Sequence, residues 1–223
     1  MHLSRLILNP RNRRVQREVA SPYQLHRSLM RAFPDGLKEG QERVLFRLEE
    51  HPRTGALTLL VQSLNPPDWS WLQAPNARDY LLPEHLLPPG VYDNPATKPF
   101  DLALSPGQVL AFRLRANPTV KRKFPNGDHK RVGLYREEEQ IQWLERKAEL
   151  GGFDLLSART GRQDIIRGQL KRDDKTHQLR LLSVQFDGVL RVSDPERLCE
   201  SVRRGIGSGK GMGFGLLSLA PPG

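Results

Sequence analysis

One cysteine, Cys199, stands in a chain of 223 residues. No disulfide can form within the chain and no cysteine cluster can hold zinc or iron–sulfur, and such sparing use of cysteine suits a reducing compartment. Its setting, PERLCESV, makes it a packing residue. Long apolar runs are missing as well: no stretch approaches the ~20 apolar residues of a membrane span. The N-terminus, MHLSRLILNPRNRR, lacks the sustained apolar segment of a secretory leader. These absences describe a soluble, cytoplasmic protein without a membrane partner. Metal-ligand spacing is absent too. His2, His51, His85, His129 and His177 are scattered, there is no HExxH, and the acids form no evident metal cluster, so neither a metal nor another cofactor is expected.

What the chain has in excess is positive charge. Lys and Arg number 35 against 25 acids, for a formal net charge of +10. A polyanion such as nucleic acid is the natural partner of that balance, held through phosphate contacts and counterion release. Charge also serves plain solubility, so the position of the cations has to carry the argument. The length accommodates one large domain or two of ordinary size.

Along the chain, HLSRLILN (2–9) alternates as a first strand ending at Asn9-Pro10, followed by the arginine cluster RNRRVQR. Ser21 is placed as an N-cap, with Pro22 at the first helical position and Gln24 as capping-box partner of a helix over Pro22–Phe33. ERVLFRLEEH and GALTLLVQSL form two strands joined by a turn at Pro52-Arg53-Thr54-Gly55. A proline-rich stretch then runs from Pro66 to Pro106, with Trp69, Trp71, Leu81 and Leu82 as packing residues within it.

The second half restarts with the strand VLAFRLRANP and the basic turn TVKRKFPNGDHKRV. REEEQIQWLERKAEL is an amphipathic helix closed by Gly151-Gly152. Strand candidates follow at FDLLSAR, DIIRGQL, QLRLLSVQFDG and GVLRVSD, then a short helix from Asp194-Pro195 and the loop GIGSGKGMGFGLLSLA entering a terminal strand. The order strand, helix, strand pair occurs twice. It predicts an α+β protein of two tandem ferredoxin-like, or RRM-like, domains with antiparallel sheets backed by helices. The boundaries expected are 1–88 for the first domain, 89–106 for a linker and 107–223 for the second.

On the wheel of the first helix, Leu25, Leu29 and Ala32 form the apolar side, whereas Tyr23, His26, Arg27 and Met30 share another face. An imidazole exchanges protons near neutrality, a neighbouring phenol can orient or assist it, and flanking arginines can hold a phosphate. That set suits RNA cleavage by its own 2′-hydroxyl, which needs proton transfer and stabilisation of a charged phosphorane but no obligatory metal. The competing account of His26 is a plain solvent-facing or helix-capping side chain.

In GIGSGKGMGFG, glycines alternate from 205 to 215 around Lys210, so backbone amides can approach phosphate closely. No register gives GxGxxG, and Gly211 replaces the Ser or Thr of a P-loop, which disfavours a nucleotide-dependent enzyme. With Gly207, Gly209, Lys210, Arg203 and Arg204 at the C-terminal loop, Arg113, Arg115, Lys121, Arg122, Lys123, Lys130 and Arg131 in the middle, and Arg27 and Arg31 on the first helix, the chain offers contacts for an RNA hairpin read largely by shape.

Tyr-x-x-His at Tyr23 and His26, FRLRANP from Phe112 to Pro118, and the C-terminal RRGIGSGKGMGFGLL together resemble the CRISPR repeat-processing endoribonuclease of the Cascade complex, the CasE family. The resemblance spans essentially the whole chain. It implies a metal-independent nuclease that cuts precursor CRISPR RNA at the base of the repeat hairpin, leaves a 2′,3′-cyclic phosphate and retains the product beside other Cascade subunits. His26 would be the principal general acid or base and Tyr23 its partner, with the basic and glycine-rich segments gripping RNA. The alternative is a non-catalytic RNA-binding subunit of a ribonucleoprotein complex.

Overall fold

The computed structural model describes residues 1–36, 40–51, 53–125, 127–172 and 175–222, with the side chains of 169–177 outside that description. Pro52 and the side chain of His177 therefore lie outside the described residues. The chain divides into unit 1, Met1–Asp101 with Gly211–Gly213, and unit 2, Leu102–Lys210 with Phe214–Gly223.

Unit 1 begins with β1 (His2–Leu8), whose alternating leucines bury Leu6 and Leu8 completely. Helices α1 (Arg13–Ala20) and α2 (Pro22–Met30) follow, then β2 (Leu45–Glu50), β3 (Leu57–Ser63) and β4 (Ala96–Pro99). All pairings are antiparallel in the order β2-β3-β1-β4, the ferredoxin-like arrangement. Instead of a second helix after β3, the chain makes short 3-10 turns at Trp69–Gln73, Pro75–Ala77 and Glu84–Leu86.

Two details of unit 1 differ from the sequence reading. The arginine cluster is helical: the Asn12 side chain accepts from the N–H groups of Arg14 and Val15, an N-cap, and Val15 is fully buried. Ser21 stands at the N-cap of α2 but makes no side-chain capping bond. It also closes α1, donating its N–H to the Glu18 carbonyl at 3.1 Å, and its backbone at φ −132°, ψ 83° serves both helices. The core gathers Leu25, Leu29 and Ala32 from α2 and its C-terminal turn with Leu6, Leu8, Phe46, Leu59 and Val61 of the sheet. Each large apolar side chain buried this way contributes about 1.5–3 kcal/mol. The proline-rich segment is not all linker, since residues 96–99 pair with Arg5–His2 as β4.

Unit 2 comprises β5 (Val109–Ala116), the hairpin β6 (Thr119–Lys123) and β7 (His129–Gly133), α3 (Glu137–Gly151), β8 (Phe153–Arg172), β9 (Lys175–Val192), α4 (Pro195–Arg204) and β10 (Leu217–Ala220). Its main sheet runs β10-β5-β9-β8, all antiparallel, and β6–β7 pair separately. This is the ferredoxin-like order a second time, with the basic hairpin inserted after the first strand. Glu137, Glu138 and Glu139 occupy the first turn of α3, where the helix dipole favours acids. Gly152 ends that helix at φ +79°, and a Cβ there would lie 2.5 Å from the Asp194 carbonyl oxygen, so only glycine fits this cap. Asp194 caps α4 by accepting from the Arg197 N–H at 3.1 Å.

The four strand candidates after α3 are two strands. β8 has 20 residues and β9 has 18, with register shifts at Leu155/Ser157 and Thr160/Gln163. Such irregularities bend a strand without ending it. On the N-terminal side of Val184, β9 no longer pairs with β5, and β8 and β9 pair with each other out to Arg172 and Lys175.

Candidate nucleic-acid site and active centre

Helix α2 carries Tyr23 and His26 one turn apart, and its apolar stripe fixes how it lies. Leu25 and Leu29 are about 1 % exposed, which leaves Tyr23 at 36 % exposure and Arg27 in solvent while His26 is half-buried. The His26 ring lies 6.0 Å from that of Phe46 at an interplanar angle of 35°. On its other approach the backbone of Gly211 passes close by: a Cβ there would sit 3.7 Å from Cγ and 3.8 Å from Nδ1 of the imidazole. Gly213 adopts φ +81° with its Cβ position 3.1 Å from Phe46. Gly211–Gly213 of unit 1 thus lies beside the histidine and its aromatic support.

Burial in this setting lowers the pKa of His26 below its ordinary 6.5, because desolvation penalises the imidazolium. The neutral ring therefore dominates at pH 7. Among the described residues, no protein group hydrogen-bonds the ring nitrogens, so its nitrogens are available to a ligand.

Helix α2 is braced from behind by a polar cluster that has no counterpart in the sequence reading. Glu18 accepts from Arg14 Nε at 2.7 Å, from Ser28 Oγ at 2.7 Å and from the Tyr80 hydroxyl at 2.6 Å. Arg14 also donates to Ser28 at 3.0 Å and to the Asn76 carbonyl at 3.2 Å. Burial first, and then the Glu18 carboxylate, push the Tyr80 hydroxyl pKa well up, so that it remains a donor. Ser28 lies two residues beyond His26 and ties the middle of α2 to α1. No local signal announces this, since Glu18 and Tyr80 are 62 positions apart.

The expected RNA contacts fall into several settings. Arg27 is exposed, and Arg31 is exposed with its guanidinium 4.7 Å from the centre of the Trp71 ring. In the β6–β7 hairpin, Lys121 faces Arg131 and Lys123 faces His129, while Arg122 faces Lys130 on the opposite side. Both faces of the hairpin are cationic and exposed. Arg122 lies 3.7 Å from Glu139, and Lys130 lies 3.6 Å from Asp128; such surface pairs are weak and exchange readily for phosphate.

Arg113 donates to Asp187 at 2.6 Å, and Arg115 donates to Ser183 at 2.8 Å while covering the Phe214 ring at 5.7 Å. Arg203 and Arg204 both pair with Glu200 at the end of α4. Gly207 and Gly209 take positive φ, their Cβ positions lying 3.2 Å from Trp143 and 2.8 Å from Phe214. Positive φ is what favours glycine at both positions, and the Phe214 ring adds a close approach at Gly209. Lys210 opens the 3-10 turn Lys210–Met212.

Comparison with known proteins adds four findings. The profile of a family described as CRISPR associated protein matches residues 1–221. The chain is 43 % identical over 99 % of its length, and 100 % of the relative's, to the CRISPR-associated endoribonuclease Cse3 of Thermus thermophilus. It is 32 % identical to the Cascade subunit CasE of Escherichia coli, covering 89 % of this chain and 92 % of that one. Among solved structures, Thermus thermophilus Cse3 bound to an RNA representing a pre-cleavage complex superposes with a TM-score of 0.80 at 40 % identity, over 99 % of this chain and 98 % of that one. The chain belongs to the Cse3/CasE family of CRISPR-associated endoribonucleases.

Proposed function

We propose that this protein is a metal-independent endoribonuclease that cuts precursor CRISPR RNA within its repeat, at the base of the hairpin, and keeps the product as a subunit of Cascade in the cytoplasm. The observation that carries the chemistry is the half-buried His26, its pKa lowered by burial, one turn from the exposed Tyr23 and with the Cβ position of Gly211 3.7 Å from the imidazole. The RNA-bound relative and the Cascade subunit supply the substrate class and the assembly.

A neutral imidazole accepts a proton, so His26 takes it from the 2′-hydroxyl upstream of the cut. The freed oxygen attacks the adjacent phosphorus, the bond from phosphorus to the 5′-oxygen breaks, that leaving oxygen takes a proton from water, and the His26 imidazolium returns its proton to solvent. The products are a 2′,3′-cyclic phosphate and a 5′-hydroxyl. Tyr23 donates a hydrogen bond to the reacting phosphate or its leaving oxygen, and Arg27 and Arg31 face the charge that builds on the phosphorane. The β6–β7 cations, Arg113, Arg115, Arg203, Arg204 and the loop around Gly207, Gly209 and Lys210 hold the hairpin through its backbone.

The test is end-group analysis of labelled host repeat RNA cut in EDTA. A single cut with a cyclic phosphate on the upstream fragment is expected. Tight binding without a cut identifies a non-catalytic RNA-binding subunit instead, and cleavage abolished by EDTA overturns the metal-free mechanism.

A further inference from the structure

Residues 79–97, DYLLPEHLLPPGVYDNPAT, are the last part of the connection from β3, which stands where a ferredoxin-like unit has its second helix, and the first two residues of β4. They hold Asp79, Glu84 and Asp93 but no Lys or Arg, in a chain with 35 of the latter. Unit 1 therefore carries a segment from which positive charge is missing.

The segment is anchored at both ends on Ile7 of β1. At its start the Leu82 N–H donates to the Ile7 carbonyl at 2.8 Å, and the Asn9 N–H to the Tyr80 carbonyl at 3.0 Å. At its end the Asn94 side chain accepts from the Ile7 N–H at 2.8 Å and donates to the Ile7 and Leu82 carbonyls at 2.9 and 3.1 Å. Between these anchors, Leu86 donates to Pro83, Leu87 to Glu84 and Val91 to Pro88 through backbone bonds of 2.9, 3.0 and 3.1 Å. Four prolines, Pro83, Pro88, Pro89 and Pro95, restrict φ further.

This braced loop holds large apolar groups in water. Tyr92 is 84 % exposed and Leu86 is 53 % exposed. A preorganised loop loses little entropy on docking, and an exposed tyrosine is a typical anchor of protein interfaces. Glu84 and Asp93 flank the anchors and are exposed. They repel a phosphate backbone, and the segment offers no Lys or Arg to hold one, so the surface is complementary to an apolar pocket rimmed by Lys or Arg.

We propose that loop 83–95 is a docking element for a protein subunit of Cascade, inserting Tyr92 and Leu86 into an apolar, basic-rimmed pocket. This rests on the Cascade reading above. The experiment compares wild type, Leu86→Ala/Tyr92→Ala and Glu84→Lys/Asp93→Lys for repeat RNA cleavage, for product retention and for binding to the host's purified remaining Cascade subunits. Both double variants should cut and retain RNA like wild type, which also reports that they are folded, and should bind the subunits at least tenfold more weakly. Wild-type assembly by the Leu86→Ala/Tyr92→Ala variant overturns the docking proposal alone. Lost RNA affinity in that variant overturns it in favour of an RNA surface. A wild-type chain that cuts repeat RNA yet joins no subunit overturns the Cascade reading and the docking proposal together.

Discussion

His26 is half-buried beside the Phe46 ring, with the Cβ position of Gly211 3.7 Å from its imidazole, and burial depresses its pKa. If the neutral ring accepts the 2′-hydroxyl proton, the acidic limb of the cleavage rate against pH falls below 6.5, the ordinary value for histidine. A single-turnover pH profile with that limb at or above 6.5 contradicts this. Stability follows the same linkage. The unfolded chain binds the proton first, so the stability contributed by a neutral His26 is complete above 6.5 and is lost as pH falls from 6.5 through the lower folded value. The sequence places Tyr23 and His26 on one face from spacing alone, because Leu25 and Leu29 mark the buried stripe. It says nothing of Phe46 or Gly211, which reach the histidine only through tertiary folding.

At the scale of elements, α2 is nine residues long and lacks a side-chain N-cap, so its placement depends on its partners rather than on its own propensity. Glu18 is the hub of those partners, with 8 % exposure and three donors. Glu18→Ala leaves Arg14 without its buried counter-charge, and a loss of about 3–5 kcal/mol is expected in chemical denaturation. A loss under ~1 kcal/mol would show that the cluster is not what braces the helix.

Elements are legible in the sequence where caps and periodicity agree, as in α3 with its early glutamates and its Gly152, and in α4 with Asp194-Pro195. Helix α1 is not, because Arg13, Arg14 and Arg17 conceal the single stripe of Val15 and Val19. β8 and β9 read as four pieces because Gly161 and Gly188 and the intervening charges look like turns. In the sheet, Gly188 is instead a close approach: a Cβ there would lie 2.1 Å from the Ser157 carbonyl oxygen. β4 is hidden among prolines, since four residues ending in Pro99 carry too little pattern to mark an edge strand.

Across the whole molecule, the proposed hold on RNA rests on positive charge. A net +10 distributed over α1, α2, the β6–β7 hairpin, α4 and the C-terminal loop makes binding a phosphate backbone a salt-dependent event. Replacing Lys121 and Lys123 with Ala, both exposed in β6, should weaken hairpin binding evenly across repeat sequences. It should also flatten the plot of log affinity against log salt by about one unit for each phosphate contact removed. An unchanged slope in filter-binding titrations places those lysines away from the RNA. Among the described residues no helix is long and apolar enough to cross a membrane. The tandem ferredoxin-like plan is legible from element order, because two rounds of strand, helix and strand pair leave few sheet topologies open.

The most direct test of the account is single-turnover cleavage of host repeat RNA in EDTA, run with wild type and with His26→Ala and repeated on RNA carrying a 2′-deoxy substitution immediately upstream of the cut. Wild type is expected to cut only the unmodified RNA, while His26→Ala binds it with wild-type affinity and cuts it about 10²–10⁴-fold more slowly. Wild-type rates from His26→Ala, or cleavage of the 2′-deoxy RNA, would contradict an imidazole acting on the RNA's own hydroxyl.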